Sequence, residues 1–301
     1  MNLKLQTIDN AGPLGTTQAS ALPPPIVVIN TAHSGSRLLA RVLMDAGVYM
    51  GTNLNESLDC LEIQPLVEHA VLASRNGVPA GRELDDPQSR RLAERHFGNH
   101  LRDLGAAARW GWKLCETLLI VPLIRRYFPK AIFIHLVRDG RDVALSPFVA
   151  PKAAFWRKVY FGSSDLDSWH GYPMTQRAYR ARGMLFNAHR WQYHVDLARE
   201  FSQTLGERYI EVKYEDLVLD YEATVSRLFG RLSLSMAQTG KKPRLPTSSI
   251  GKWRQLPQRD LDALCAIMEP TLSEVGYTQV GDIPPARRAT LLEKLAYRRY
   301  F

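Results

Sequence analysis

A strand that runs directly into a tight polar turn and a helix constrains this sequence more than any other segment. Residues 26–29 are four consecutive aliphatic residues, a run typical of a short, fully buried strand. The turn at residues 33–36 reads His-Ser-Gly-Ser, and apolar residues at helical spacing follow over 38–43. Such a unit aims backbone N–H groups and a helix N-terminus at one point, which suits a phosphate. An ordinary strand-to-helix turn of an α/β protein explains the segment equally well.

The composition is that of a soluble globular protein, and its positive net charge favours a small anionic molecule as the partner. The 301 residues suffice for one large domain or two small ones, and 45% apolar with 23% charged residues is an ordinary balance. The net charge of +9 is dispersed without basic runs, so we expect a small anion and no nucleic acid. Three widely spaced cysteines predict a reducing compartment without a disulfide framework or metal cluster. With no run of roughly 18 apolar residues and no hydrophobic signal region after Lys4, the sequence predicts a cytoplasmic protein without a membrane span.

Alternating apolar runs and helical patterns predict an α/β fold. Candidate strands at 26–29, 110–114, 131–137 and 208–212 are separated by helical segments. This alternation predicts a three-layer fold with a central, mainly parallel sheet of about four to five strands flanked by helices. Sites in such sheets lie at the carboxyl ends of the strands.

A single domain is expected to occupy most of the chain. Residues 1–22, rich in Thr, Ser, Gly and Asn, predict a flexible tail ahead of one domain at 23–301. Helices are predicted at 87–107 and near 260–274. The irregular, aromatic-rich segment 147–176 is either a lid over an acceptor substrate or a set of satellite core residues.

The turn after the third candidate strand carries a second anion signal. Arg138 directly follows the strand, and Ser146 lies eight residues later on the predicted next helix. A bidentate guanidinium and a hydroxyl so placed could hold one phosphate between them. A surface Arg-Asp network, with Asp139 and Asp142 as helix caps, is the alternative.

These segments resemble, in order, four motifs of the sulfotransferases that use 3′-phosphoadenosine 5′-phosphosulfate (PAPS). Residues 33–39 resemble the 5′-phosphosulfate loop, and residues 137–146 resemble the 3′-phosphate motif with its Arg-to-Ser spacing intact. Residues 214–217, Tyr-Glu-Asp-Leu, resemble the segment whose Tyr lies near the adenine. The end of segment 235–254, Ser-Ile-Gly-Lys-Trp-Arg, resembles the late loop that closes over the nucleotide. The four motifs span residues 26–254, which is most of the chain, and the resemblance implies that the α/β fold is P-loop-like.

The resemblance implies an enzyme that moves a sulfuryl group from PAPS, its co-substrate, to an acceptor hydroxyl, less commonly an amine, by in-line displacement without a metal. Because the transferring and leaving groups carry dispersed negative charge, catalysis needs cations and backbone donors. The residues implied to bind PAPS are His33, Ser34, Gly35, Ser36 and Arg37 at the 5′-phosphosulfate, Arg138, Ser146 and Lys252 at the 3′-phosphate, and Tyr214 or Trp253 at the adenine.

His33 departs from the family pattern. Members usually carry Lys or Arg one residue before the Ser-Gly pair, where it serves the oxygen that bridges sulfate and phosphate. A histidine, with an ordinary pKa of roughly 6.5, matches that role only when protonated. Arg37 or Lys113, which lies in a Trp-Gly-Trp-Lys context shared by similar bacterial enzymes, could supply the permanent charge. We expect His33→Lys to retain turnover and His33→Ala to lose most of it.

The base that accepts the acceptor's proton is predicted to be a carboxylate. By comparison with carbohydrate and tyrosyl members, Glu56 is the first choice, followed by Asp59, Glu62 and Glu116. Each of these is otherwise a solvated loop acid or a helix cap. The same comparison favours a glycan or a small metabolite as the acceptor.

The sequence leaves two alternative functions to consider. A P-loop nucleotide kinase would need Gly-x-x-x-x-Gly-Lys-[Ser/Thr], which the chain lacks, together with a magnesium site. A non-catalytic nucleotide- or anion-binding protein on the same fold would explain the missing loop lysine. The basic C-terminal run at 287–299 predicts a solvated helix face or a homodimer contact.

Overall fold

The computed structural model describes residues 19, 22–75, 84, 86–105, 109–146, 168–169, 172–173, 183–235 and 247–277. The strands are β1 (Ile26–Asn30), β2 (Gly111–Lys113), β3 (Ile132–Val137), β4 (Ser168–Trp169), β5 (Tyr172–Pro173) and β6 (Tyr209–Lys213). The helices are α1 (Ser36–Asp45), α2 (Gln64–Arg75), α3 (Pro87–Leu101), α4 (Val121–Tyr127), α5 (Gly140–Ala144), α6 (Met184–Leu205), α7 (Tyr214–Leu219), α8 (Tyr221–Leu232), α9 (Gln258–Met268) and α10 (Thr271–Glu274). Short 3₁₀ turns lie at Cys115–Ile120, Gly206–Arg208, Thr247–Ser249 and Lys252–Gln255.

A parallel sheet lies at the centre of the fold. Its strands run in the order β2-β1-β3-β6, and every neighbouring pair is parallel. In this register Val28 of β1 lies opposite Lys113 of β2 and Ile134 of β3. Strands β4 and β5 form a separate antiparallel pair. The predicted α/β fold with a parallel sheet of four strands is confirmed.

Helices cover both faces of this sheet because side chains along β1 alternate between two cores. Val27 and Ile29 belong to a core with α2, α3, α4 and the second half of α6. Ile26 and Val28 belong to a second core with α1, α7 and α8. All four side chains are fully buried, and each contributes about 1.5–3 kcal/mol by its removal from water. A third cluster joins α5 and α6 to α9 and α10. With helices on both of its faces, the sheet is the middle one of three layers.

The strand order places a crevice between β1 and β3. The chain leaves β1 towards β2 on one side, while β3 lies on the other, so this is the topological switch point of the sheet. In open parallel sheets ligands bind at that point, beyond the carboxyl ends of the strands. The turn after β1 and the turn after β3, which carry the two sequence signals, both begin there.

Some predicted helix bounds are wrong. Helix α3 ends at Leu101 rather than at residue 107. The single helix predicted at 260–274 is two helices, α9 and α10, because Pro270 lacks the N–H needed to continue the first one.

Several sequence predictions concern residues outside the described ones. They include the N-terminal tail except residues 19 and 22, the basic run at 287–299, and the lid at 147–176 apart from the short pair β4 and β5. The assignment of 23–301 to one domain stays a prediction. Within the described ranges, no helix is long and apolar enough to cross a membrane.

Candidate functional site

The turn between β1 and α1 is held open by a glycine that no other residue can replace without strain. Gly35 has φ of +84° and directly precedes the first residue of α1. A Cβ atom built on Gly35 would lie 2.3 Å from Cε2 of Tyr214, so the tyrosine ring packs on the bare backbone. Tyr214 begins α7, directly after β6. The first and third sequence motifs are therefore in contact.

Arg138 joins this turn to the late loop. Its Nη1 donates to the carbonyl oxygen of His33 at 2.9 Å, and its Nη2 donates to the carbonyl oxygen of Ser249. The guanidinium carbon lies 4.9 Å from the centre of the Tyr214 ring, a cation–π contact. Trp191 of α6 donates its indole N–H to the Arg138 carbonyl at 2.9 Å. One buried arginine thus connects all four sequence motifs.

The late loop is held by a second residue of the same turn. Asp142 accepts from the backbone N–H of Gly251 at 2.7 Å and from that of Trp253 at 3.3 Å. Burial raises the pKa of this carboxyl group. Lys252, between these two anchored residues, has a lowered pKa, chiefly because of burial and next because of the positive charge of Arg138. Lys252 and Arg138 are therefore close enough to repel each other.

Arg141 and Asp139, in the turn after β3, form a buried ion pair. This pair is therefore not part of a surface Arg-Asp network. Arg141 makes a bidentate contact with Asp139 at 2.9 and 2.8 Å, and its guanidinium carbon lies 3.8 Å from the centre of the Trp253 ring. Asp139 caps α5 by accepting from the backbone N–H of Arg141, as predicted. Asp142 holds the late loop instead of capping the helix. Trp253 is buried and packed against Arg141, and its contact with adenine stays a prediction.

Ser146 lies beyond the helix on which the sequence placed it. Helix α5 spans only five residues and ends at Ala144. The Ser146 hydroxyl is within 3.3 Å of the Asp142 carbonyl oxygen, to which it donates. Asn187 of α6 donates to the carbonyl oxygens of Ala144 and Ser146, both at 3.2 Å, and so fixes the end of the turn.

His33 is neutral in this environment. Burial lowers its pKa to about 3, and the nearby guanidinium groups of Arg190 and Arg138 add to the effect. A protonated imidazole would place a third cation beside two others. His33 on its own therefore does not replace the permanent charge of the family's lysine.

Arg190 is the residue that sequence reasoning missed. It lies on α6, is 1% exposed, and its Nη2 is 3.4 Å from the carbonyl oxygen of Ala32, in the turn after β1. The signal was present in the sequence, because Asn187, Arg190, Trp191 and His194 follow helical spacing. All four are buried, so one face of α6 carries polar groups into the interior.

Lys113 forms a buried ion pair with a neighbouring carboxylate. Its ammonium lies 2.7 Å from Oδ1 of Asp59 and 2.5 Å from the carbonyl oxygen of Ser57, and its side chain is 1% exposed. A buried ion pair neutralises both partners and leaves neither as an independent charge. This pairing disfavours Lys113 as a sulfate-binding cation and Asp59 as a free base.

The other three candidate bases differ in their surroundings. Glu56 has an exposed side chain, and its carbonyl oxygen accepts from Nη1 of Arg37 at 3.2 Å, which ties its loop to α1. Glu62 accepts from the backbone N–H of Asn53 at 2.9 Å. Glu116 is fully buried in the 3₁₀ turn that follows β2. Of the three, Glu56 has the most exposed side chain.

Buried polar atoms without hydrogen-bond partners gather at the carboxyl edge of β1 and β3. Within the described part of the chain, they include Asn30 Oδ1, Thr31 Oγ1, Ser34 Oγ and Arg138 Nε. Such groups are rare in folded proteins, because each costs about 1–3 kcal/mol when it is left without a partner. Two hydroxyls and a guanidinium N–H are donors suited to an anion.

The fold and this edge define an α/β protein with a P-loop-like turn and clustered cations at the switch point of a parallel sheet. The chain belongs to the sulfotransferase family, whose family model matches residues 24–238. It is accordingly a transferase.

Three solved structures similar to this chain are sulfotransferases. The sulfotransferase domain from the curacin biosynthetic pathway is 14% identical with a TM-score of 0.40, over 93% of this chain and 98% of that one. The domain from the Synechococcus PCC 7002 olefin synthase is 15% identical with a TM-score of 0.40, over 93% and 96%. A sulfotransferase from Mycobacterium avium is 12% identical with a TM-score of 0.48, over 90% and 81%. No curated protein sequence matches the chain significantly.

Proposed function

We propose that the chain transfers the sulfuryl group of PAPS to a hydroxyl group of a glycan or small metabolite. The observation that carries the proposal is the position of Arg138, whose guanidinium bridges the turn after β1 and the late loop at the switch point of the sheet. Family membership supports sulfuryl transfer, and the cations at this edge support a doubly phosphorylated donor.

The turn after β1 is proposed to bind the 5′-phosphosulfate. Backbone N–H groups of residues 35–37 and the N-terminus of α1 would face the phosphate, with the hydroxyls of Ser34 and Ser36 as further donors. The backbone N–H of Ser34 instead donates to the carbonyl oxygen of Thr31 at 3.2 Å. Arg190 would supply the permanent positive charge that the family's loop lysine provides elsewhere. His33 would act as a neutral hydrogen-bond donor, or would take up a proton when the anion offsets the two arginines.

The 3′-phosphate is proposed to lie between the turn after β3 and the late loop. Arg138, Lys252 and Ser146 come from these two segments, and the mutual repulsion of Arg138 and Lys252 is relieved by an anion between them. Tyr214, whose hydroxyl is 3.1 Å from that of Ser249, borders the same space. Its ring covers Gly35 on one side and is proposed to lie near the adenine on the other.

The transfer itself is a single displacement at sulfur. The acceptor oxygen forms a bond to sulfur as the bond from sulfur to the bridging phosphate oxygen breaks, and 3′-phosphoadenosine 5′-phosphate (PAP) leaves. The acceptor's proton passes to a carboxylate, which we propose to be Glu56 because its side chain is exposed on a loop tied to α1 by Arg37. Negative charge that develops on the bridging oxygen is stabilised by Arg190 and the backbone donors.

Calorimetry with PAP tests the donor assignment. We expect PAP to bind at one molecule per chain in buffer that contains a chelator and no magnesium. Tighter binding of ATP in the presence of magnesium than of PAP would favour the kinase alternative and overturn the proposal.

Turnover with PAPS labelled in its sulfate distinguishes an enzyme from a binding protein. Label is expected to move to at least one member of a panel of glycans and hydroxylated metabolites, and to stay on PAPS when Arg138 is replaced. PAP binding with no transfer to any acceptor, and no hydrolysis of PAPS, would support the non-catalytic alternative.

A further inference from the structure

A cysteine, a glutamate and a histidine converge beside the loop that carries Glu56. The Sγ atom of Cys60 lies 3.1 Å from Oε2 of Glu62 and 3.4 Å from Nδ1 of His100, and the three atoms lie within 4.8 Å of one another. Cys60 and His100 are fully buried, and Glu62 is half-buried. We propose that these three residues bind a divalent transition metal, of which Zn²⁺ fits best. The proposal does not depend on the donor or acceptor assigned above.

The three facing atoms share a single proton, that of the Cys60 thiol. His100 Nε2 lies 2.9 Å from the carbonyl oxygen of Gly111, which can only accept, so Nε2 carries the ring proton. A neutral ring then leaves Nδ1 as a bare acceptor that faces Cys60. The thiol has one proton, so it can donate to Nδ1 or to Glu62 but not to both. A cation replaces this shortage of protons with three ligand bonds.

The distances suit a small tetrahedral ion. Zinc lies about 2.3 Å from a thiolate and about 2.0–2.1 Å from a histidine nitrogen or carboxylate oxygen, which places neighbouring ligand atoms roughly 3.5 Å apart. The separations of 3.1 and 3.4 Å are close to that value. A mixed sulfur, nitrogen and oxygen set favours zinc or a related transition metal over magnesium or calcium.

Two of the three ligands, His100 and Glu62, are oriented by an outer contact, as metal ligands in proteins usually are. The Gly111 carbonyl holds the His100 ring, and the backbone N–H of Asn53 donates to the second oxygen of Glu62 at 2.9 Å. Both contacts leave the inner atom, Nδ1 or Oε2, turned towards Cys60. This arrangement is preorganised for a ligand and does not follow from apolar packing.

Space beside the cluster is kept by a glycine. Gly51 has φ of +109°, and a Cβ atom there would lie 3.3–3.4 Å from His100 Cε1 and Nδ1 and from Cys60 Sγ. The absence of that atom leaves room for a fourth ligand, such as water reaching the half-buried side at Glu62. Metal binding releases the thiol proton to solvent, so thiolate and carboxylate together balance the two positive charges.

Such a metal would fix the loop that carries Glu56. Cys60 donates its backbone N–H to the Lys113 carbonyl at 2.8 Å, next to the ion pair of Lys113 with Asp59. The metal would tie the loop to α3 through His100, at a point separate from the PAPS-binding turns. The role we assign to it is structural and outside the transfer chemistry.

Cobalt spectroscopy on the full chain tests the site. After treatment with chelator and reductant, the protein is titrated with Co²⁺, which absorbs through thiolate-to-metal charge transfer when a cysteine is a ligand. We expect saturation at one Co²⁺ per chain, loss of the absorption on addition of Zn²⁺, and a higher melting temperature of the zinc-loaded form. Wild-type protein that gives no charge-transfer absorption would overturn the proposal without recourse to any variant.

Matched cysteine variants locate the metal. Cys60→Ser is expected to abolish the charge-transfer absorption, whereas Cys265→Ser, which alters a half-buried thiol on α9, is expected to leave it unchanged. Glu62→Gln retains the thiolate and is expected to weaken Co²⁺ binding at least tenfold. Absorption that persists in Cys60→Ser, or that disappears in Cys265→Ser, would place the metal elsewhere and refute this site.

Discussion

Glu215 ties the turn after β3 to the end of the described chain, and its protonation is expected to control stability near neutral pH. Its Oε1 accepts from the backbone N–H of Asp139 at 3.1 Å, and its Oε2 accepts from the hydroxyl of Tyr277 at 2.6 Å. Burial raises the pKa of Glu215 from 4.5 to about 7, and the two hydrogen bonds only partly oppose that shift. The carboxyl group is therefore about half protonated in the folded protein at neutral pH.

The sign of the pH dependence follows from this raised pKa. Between pH 4.5 and about 7 the folded protein retains a proton that the unfolded chain releases, so the free energy of unfolding falls as the pH rises through that interval. A shift of this size corresponds to about 3 kcal/mol over the whole interval. The Glu215→Gln variant keeps an acceptor for the Asp139 N–H and does not titrate.

Urea unfolding of both proteins at several pH values between 5 and 8 measures the effect. We expect the stability of the wild type relative to Glu215→Gln to fall by most of about 3 kcal/mol as the pH rises. Glu222→Gln, which changes an exposed carboxylate at the start of α8, is expected to give a difference that does not vary with pH. A constant difference between wild type and Glu215→Gln would show that Glu215 is ionised throughout and that the reasoning from burial is wrong.

Substitutions at four residues test the proposed site. Arg138→Lys keeps the charge but loses the bidentate contact, so PAP affinity measured by calorimetry should fall about 10–100-fold. The control variant Arg125→Lys, on α4, should bind PAP as the wild type does. Arg190→Gln should lower turnover of labelled PAPS about 100-fold or more, and full activity would remove Arg190 from the mechanism. His33→Lys should retain turnover and His33→Ala lose most of it; unchanged activity of His33→Ala would show that the histidine has no part. Glu56→Gln should lower turnover about 10²–10⁴-fold with unchanged PAP affinity, and equal turnover would assign the base elsewhere.

The architecture could be predicted from the sequence because each of the two central strands is a short apolar run, as expected for a strand covered by helices on both faces of the sheet. Residues 26–29 and 131–137 are buried on both faces, as their lack of polar alternation predicted. The order β2-β1-β3-β6 could not be predicted in this way, because it depends on which strand edges pair across the chain. The switch point, which defines the site, became visible only with that order.

Site residues that belong to a local sequence motif could be predicted. Contacts between segments that are distant in the sequence could not. Spacing identified Arg138, but its partners His33 and Ser249 lie 105 and 111 residues away, so its bridging role left no local pattern. Arg190 lies outside the motifs, and its charge reaches the turn only because α6 packs beside β1. The expectation that Ser146 lies within a helix failed because α5 ends after five residues.

The cations at the carboxyl edge impose a cost on the fold that an anion removes. Arg138 and Arg190 are buried and Lys252 is half-buried. Burial chiefly lowers the pKa values of His33 and Lys252, and the charge of Arg138 lowers both further, with Arg190 adding to the effect at His33. Arg138 meets this repulsion with hydrogen bonds to backbone carbonyls, which carry only partial negative charge. A phosphate or sulfate would supply full charges at the same place, and a ligand that binds only the folded state stabilises it by an amount that rises with the logarithm of the ligand concentration divided by Kd. The late loop is held by Asp142 and Arg138 alike, so the same anion would also fix the segment proposed to close over it.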